Sequence, residues 1–310
     1  MPALSGTTIG FDISDRKIVV VESNVSPKSV VVMKSATAQM EPGIVDQGRI
    51  VNMDALANLC DALMGKMKLA TNLVAFNLPI TTYVLRELPS DADYFSTPGV
   101  IEWEMEYHCV DDPQRYFLSY WDSGNSTLLI AANRRIVLQR IELFKRIGLA
   151  PIAGDPDNVA LYNITLFSAQ SLASLGNVLF VDIAYPNSSI SARIDGVFHP
   201  GGILATDEKI YNYAIGGETV PRNLDSFINE LRSMCEFLFG RDAIFSTFVY
   251  SGTPIGTKFA ATVEQLFQLP IYYKEGLDKQ KKIRFKGKHN ILTYHEMQKA
   301  IGLSLRSPND

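Results

Sequence analysis

Apolar and polar positions follow the same rhythm twice along the chain. Between Thr8 and Ser23, an apolar run ends in Asp12-Ile13, a polar turn follows at Ser14-Asp15-Arg16, and a second apolar run leaves from Ile18 to Val21. The stretch from Asn177 to Gly196, NVLFVDIAYPNSSISARIDG, repeats the plan, with Asp182-Ile183 at the same point. Short apolar runs around a polar turn predict a β-hairpin. A hairpin used twice, with an aspartate at the lip of each turn, predicts two related lobes facing a shared cleft.

The pattern between the hairpins predicts the rest. Residues 30–33 and 36–40 read as strands, 43–48 as a loop, and 52–67 as a helix capped by Asn52, with Met53, Leu56, Leu59, Cys60, Leu63 and Met67 on one face. Strand 73–78 ends at Pro79. Residues 80–150 change rhythm to β-α-β-β-α: strand 82–88, loop 89–99, acidic helix 100–109, a hairpin of 116–121 with 127–132, and amphipathic helix 134–147 stopped at Gly148. Residues 151–157 read as a turn-rich return and 158–175 as a helix. Beyond the second hairpin come His199-Pro200-Gly201-Gly202, helices at 206–215 and 224–239, strand 244–250, helix 259–267, strand 270–273 and a final helix at 294–305. The expected units are a first lobe at 1–79 plus 151–176, an inserted subdomain at 80–150, and a second lobe at 177–310.

Composition narrows the function. The 310 residues exceed one core of ordinary size. Hydrophobic residues make up 46% and net charge is −4, which fits a folded protein without a basic face for nucleic acid. The one dense basic run, Lys279 to Lys288, reads as a solvated loop or as a contact for anionic lipid or an acidic partner. Cys60, Cys109 and Cys235 are odd in number and form no C-x-x-C pair, so a disulfide framework and a zinc site are not expected, and a reducing compartment is. No signal peptide and no apolar run of ~20 residues is visible, so membrane attachment is expected only through a partner.

The common catalytic signatures are missing. There is no P-loop, no G-x-G-x-x-G and no G-x-S-x-G elbow. His295-Glu296 begins an H-E-x-x-H pattern, but Lys299 stands at the second histidine. His108 follows Glu104 by one helical turn, which reads as a surface ion pair. The hairpins remain. A tight turn aims backbone N–H groups at a phosphate, and an adjacent aspartate can hold the waters of a magnesium ion. Gly201-Gly202, and Ser251-Gly252-Thr253 in SGTPIG, allow close approach of a flat base.

These motifs, in this order, resemble the actin-like ATPase superfamily, and within it the PilM family of type IV pilus assembly proteins. GFDISDRKIVVVES is similar to that family's first phosphate loop, VLFVDIAYPNSSISARIDG to its second, HPGGILATDEKI to its Gly-Gly helix start, NELRSMCEFLFG to the helix beside the adenosine, VYSGTPIG to the adenosine motif, and AIGLSLR to its C-terminal G-L-[AS]-L-R. The resemblance implies an α/β, actin-like (ribonuclease H-like) fold of two lobes with duplicated mixed sheets and a small inserted subdomain. It implies ATP and Mg as ligands: Asp12 and Asp182 facing magnesium through water, with Ser14, Asp15 and Lys17 by the phosphates. Asn187 and Ser188 would stand on the opposing phosphate side, and Gly201, Gly202, Glu230, Ser233, Gly252 and Thr253 around purine and ribose.

It further implies a cytoplasmic scaffold peripheral to the inner membrane. The expected partner is the N-terminal tail of a PilN-like membrane protein, bound in a groove between the first lobe and the insert; self-association is open. Alternatives are the type II secretion counterpart, an FtsA-like filament protein without its C-terminal tether, and a small-molecule kinase. Four residues depart from the family's motifs. Ser14 and Ala184 replace glycines, Thr253 replaces the second glycine of S-G-G, and Asp15 replaces a hydroxyl residue. The departures point to weakened or lost nucleotide binding, through β-carbons at turns expected to need φ > 0 and a negative charge near phosphates. A weak ATPase and a pseudo-ATPase scaffold are the two outcomes.

Overall fold

The computed structural model describes residues 6–89, 92–108, 112–122, 126–169, 176–214, 219–241, 243–251, 265, 282–286 and 291–306. The first lobe opens with β1 (Gly6–Ile13), β2 (Lys17–Ser26) and β3 (Ser29–Gln39), an antiparallel meander. Ile9, Phe11, Ile13 and Ile18 to Val21 are all fully buried. Both faces of the hairpin are covered, which is why its apolar runs barely alternate. The expected loop at 43–48 contains a small hairpin, β4 (Val45–Asp46) with β5 (Arg49–Ile50). Helix α1 (Met53–Met67) starts where Asn52 Oδ1 accepts the Ala55 N–H at 3.0 Å. β6 (Leu73–Leu78) then pairs parallel to β1.

The insert comprises β7 (Tyr83–Pro89), α2 (Ala92–Ser96), α3 (Val100–His108), β8 (Tyr116–Asp122) and β9 (Ser126–Asn133), with sheet order β7-β9-β8. Helix α4 (Arg134–Arg146) leads back into the first lobe, where the Phe144 ring packs 5.1 Å from Phe11 and 5.3 Å from Phe76. The return at 150–156 is β10 (Ala150–Pro156), parallel to β6, and not a run of turns. Pro151, Gly154 and Pro156 mask the strand in the sequence. They are tolerated because β10 is an edge strand with an irregular register between Pro151 and Ala153. Helix α5 (Asp157–Ser168) follows directly.

The second lobe repeats the plan: β11 (Val178–Asp182), β12 (Asn187–Ile194) and β13 (Val197–Ala205) form a meander, α6 (Glu208–Ala214) and α7 (Leu224–Phe239) cover it, and β14 (Thr247–Ser251) lies parallel beside β11. The order β13-β12-β11-β14 is thus the order β3-β2-β1-β6 of the first lobe. β15 (Ile283–Phe285) completes the first sheet beside β3. The expected helix 259–267, apart from residue 265, and strand 270–273 lie outside the described residues.

Helix α8 (Ile291–Ser304) is laid across the first lobe and α5. Two glycines permit this. A β-carbon at Gly10 would stand 1.7 Å from the Ala300 carbonyl oxygen, and one at Gly302 would stand 2.1 Å from the Ala160 carbonyl oxygen. No described helix is long and apolar enough to cross a membrane.

Candidate functional site: the cleft between the lobes

The strand-turn pattern delivers Asp12 to the end of β1 and Asp182 to the end of β11, both buried. Because Gly10 brings the backbone of α8 onto β1, the side chain one residue before Ala300 arrives beside Asp12. That side chain is Lys299. Its Nζ donates to Asp182 Oδ2 at 2.8 Å and lies 3.6 Å from Asp12 Oδ2 and 3.7 Å from Asp157 Oδ1. Asp157, the first residue of α5, also accepts from Asn77 Nδ2 at 3.0 Å. Three carboxylates from two lobes therefore surround one ammonium.

The electrostatics follow from burial. Desolvation opposes the charge on Lys299, yet Asp12, Asp157 and Asp182 overcome it and hold the ammonium well above the usual lysine range. Burial pushes the Asp157 carboxyl up to about 7; Lys299 opposes that rise, and Asp12 and Asp182 add to it. Burial also pulls Lys17 below the usual lysine range, with Glu296, 3.7 Å away, offsetting it in part. Arg140 of α4 is fully buried and pushed down to about 10 by desolvation. It donates to Asn77 Oδ1 at 3.4 Å and to the carbonyls of Ile13 at 3.3 Å and Gly48 at 3.4 Å, tying the first turn to the 45–50 hairpin.

The turns differ from the expectation drawn from their missing glycines. Among the described non-glycine residues only Gln47, Lys68 and Asp195 have positive φ, so Ser14, Asp15 and Ala184 sit in unstrained backbone. Ser14 closes its own turn: its N–H donates to the Lys17 carbonyl at 3.0 Å, and its Oγ accepts the Lys17 N–H at 3.2 Å. The Asp15 carboxylate accepts the N–H groups of Gln47 at 2.6 Å and Gly48 at 2.9 Å. Burial still raises its pKa above the usual value. Gln47 and Gly48, at φ 47° and 77°, present two successive N–H groups, an anion-binding nest. That nest holds the protein's own carboxylate.

In the second turn, Ser188 Oγ lies 2.6 Å from Thr206 Oγ1 and accepts the Ala184 N–H at 3.3 Å. Across the mouth, the Arg16 guanidinium stacks 4.5 Å over the Tyr185 ring and reaches Glu208 at 3.4 Å. The space left between the turns, lined by Asp15, Gly48, Asp182, Ala184 and Lys299, is about 40 Å³.

Asp12, Ser14, Asp15, Lys17, Asp182, Asn187 and Ser188 are therefore gathered at or beside the cleft. Glu230 lies farther out, lining with Asn187 a surface depression of about 480 Å³. Gly201, Gly202 and Ser233 do not line it. Gly201 and Gly202 stand inside β13 rather than ahead of a helix. A β-carbon at Gly201 would meet the Ile190 carbonyl oxygen at 1.7 Å, and one at Gly202 would meet Met234 of α7 at 3.1 Å, so this pair serves sheet and helix packing. Gly252 and Thr253 lie outside the described residues.

The carboxylate cluster of the described residues does not fit magnesium as it stands. A magnesium ion keeps several waters and needs octahedral room among its oxygen ligands, whereas the Lys299 Nζ already stands 2.8–3.7 Å from Asp182, Asp12 and Asp157. The cation position carries an ammonium, and the nest beside it a carboxylate. Sequence reasoning missed Asn77, Arg140, Asp157 and Lys299. The one available signal was a lysine at an inward position of an apolar helix, next to Met297, Ala300 and Ile301.

Solved structures share this architecture. The PilM-PilN type IV pilus biogenesis complex superposes with a TM-score of 0.75 at 18% identity, over 96% of this chain and 97% of that one. A Bacteroides thetaiotaomicron protein with an actin-like ATPase fold superposes at 0.51 with 10% identity, over 93% and 94%. The chain has an actin-like ATPase fold. The cytoplasmic domain of EpsL, an inner membrane component of the Vibrio cholerae type II secretion system, also shares the fold, at 0.51 and 10% identity over 97% and 96%. No protein-family model and no curated protein matches the chain.

Another concavity of this actin-like fold lies between the insert and the first lobe. It measures about 280 Å³ and is lined by Leu78, Phe117, Trp121, Ile130, Val137 and Val159. One wall carries Arg306, just past α8, which donates twice to Asp155 of β10 at 2.6 and 2.7 Å. Trp121 continues into an aromatic cluster with Tyr162 of α5, at 5.7 Å, and Phe198 of β13, at 6.4 Å.

Proposed function

We propose that the protein is a scaffold of a type IV pilus inner-membrane assembly complex, working at the cytoplasmic face of that membrane. It binds the N-terminal tail of a PilN-like membrane protein in the apolar groove and uses no nucleotide in its cleft. The groove carries this reading. It runs between two sheet edges, β8 of the insert and β10 of the first lobe, with apolar side chains between them. An extended peptide suits such a site, since edge strands offer main-chain hydrogen bonds and the pocket takes alternate side chains. Each leucine- or phenylalanine-sized anchor buried there contributes about 1.5–3 kcal/mol before ordering costs. The match to the PilM-PilN complex, along nearly the whole of both chains, favours a pilus assembly over the type II secretion alternative.

The test is titration of a fluorescent peptide carrying the tail of a PilN-like protein into the wild type, Phe117→Ala and Ser119→Arg. Both positions are exposed, so the fold tolerates the changes. Micromolar binding to the wild type and at least tenfold weakening in both variants is expected. Equal binding to all three overturns the groove.

A further inference from the structure

We infer that the cleft is filled by the protein's own ions: the Lys299 ammonium is the resident cation of Asp12, Asp157 and Asp182, and the Asp15 carboxylate is the resident anion of the Gln47-Gly48 nest. The inference rests on the reading of the cleft given above, and it names what closes it.

Three independent observations converge. The first is chemical. The position between the lobes where a divalent ion would stand is taken by a side chain that reaches carboxylates of both, at 2.8, 3.6 and 3.7 Å. The second is steric. The Lys299 and Asp15 side chains line the space between the turns and leave about 40 Å³ there, and the depression of about 480 Å³ beside Asn187 opens outside them. The third is the source of the charges. Lys299 is delivered by a backbone contact that only glycine at position 10 allows, and Asp15 is held by two N–H groups from another loop. Lys299 joins the lobes through Asp12 and Asp182, and Arg16 on Tyr185 spans the mouth from outside.

Removing the ammonium should create the need it now satisfies. Asp12 Oδ1 and Asp182 Oδ1 are already buried without a hydrogen-bond partner among the described residues. With Lys299 gone, an added divalent ion can neutralise the carboxylates in its place, in competition with protonation of Asp157. The experiment is thermal unfolding of the wild type and Lys299→Ala in millimolar magnesium or calcium chloride, against sodium chloride of equal ionic strength. Breaking a buried pair lowers the melting temperature of a chain this size by about 10 °C. The expected result is that fall, with either divalent ion restoring at least half of it, and no shift of the wild type by the same ions or by magnesium-ATP. Should Lys299→Ala not fold, Lys299→Gln, which keeps a hydrogen bond to Asp182 without the charge, takes its place under the same expectation.

A wild type stabilised by magnesium or magnesium-ATP overturns the inference. So does a variant that loses no stability at pH 8, where Asp157 is less readily protonated in place of the ammonium. Tail-peptide binding does not enter the readout, so failure of the groove and failure of the filled cleft are separately visible.

Discussion

Two concavities of this molecule have opposite contents. The cleft between the lobes is lined by charged groups that neutralise one another, and about 40 Å³ is left. The groove beside the insert is larger, about 280 Å³, and mostly apolar. Unsatisfied apolar surface gains from a partner, whereas a closed set of ion pairs would have to be broken before a ligand entered. The contrast is the reason the proposed tail binding is assigned to the groove and not to the cleft. Helix α8 serves both sites: Lys299 enters the cleft, and Arg306, two turns on and just past its end, forms a groove wall.

The most damaging way to erase the contrast is to lift α8 from the sheet. Gly10→Val places side-chain atoms inside the Ala300 carbonyl, beyond the usual overpacking cost of about 1–3 kcal/mol. The melting temperature should fall by about 10 °C or more, and tail binding should fail with it. Next comes the groove wall. Asp155→Ala leaves the Arg306 guanidinium without its bidentate partner and should cost about 2 kcal/mol, seen as a lower urea midpoint with unchanged slope. It should weaken tail binding while leaving the wild type's indifference to magnesium intact.

Much of this was legible from local pattern. The two hairpins and the placement of Asp12 and Asp182 at their lips needed only the apolar runs and the turns. The helix starting at Asn52 needed only its cap. What was not legible depends on distance along the chain. Lys299 meets Asp12 and Asp182 only because α8 crosses the first lobe, and no local period reports that crossing. Arg140 is hidden because a single arginine inside an amphipathic helix looks like part of its polar face, although its guanidinium is fully buried. β10 was hidden by its prolines and glycine, which an edge strand accommodates. Gly201-Gly202 read as a helix entrance because glycine pairs often sit there; in the fold they let α7 lie on β13. The missing glycines of the two turns suggested strained backbone, but the turns avoid positive φ, and Asp15 is spent on the Gln47-Gly48 nest.

Smaller changes sharpen the contrast. Asp15→Ala empties the nest without touching Lys299. It should lower stability by about 1–3 kcal/mol, the cost of unsatisfied groups, and raise affinity for inorganic phosphate or sulfate, read as a stabilisation in those salts that the wild type lacks beyond its general salt response. Arg16→Ala removes the stack on Tyr185 and an exposed ion pair. It should cost no more than about 1 kcal/mol and leave tail affinity unchanged.

Calorimetric titration of the tail peptide into the wild type, with and without millimolar magnesium-ATP, tests the central claim most directly. The account predicts dissociation constants within about twofold of each other and no heat from magnesium-ATP alone. A tenfold difference, worth about 1.4 kcal/mol of coupling between cleft and groove, would show that nucleotide enters the cleft despite Lys299 and Asp15.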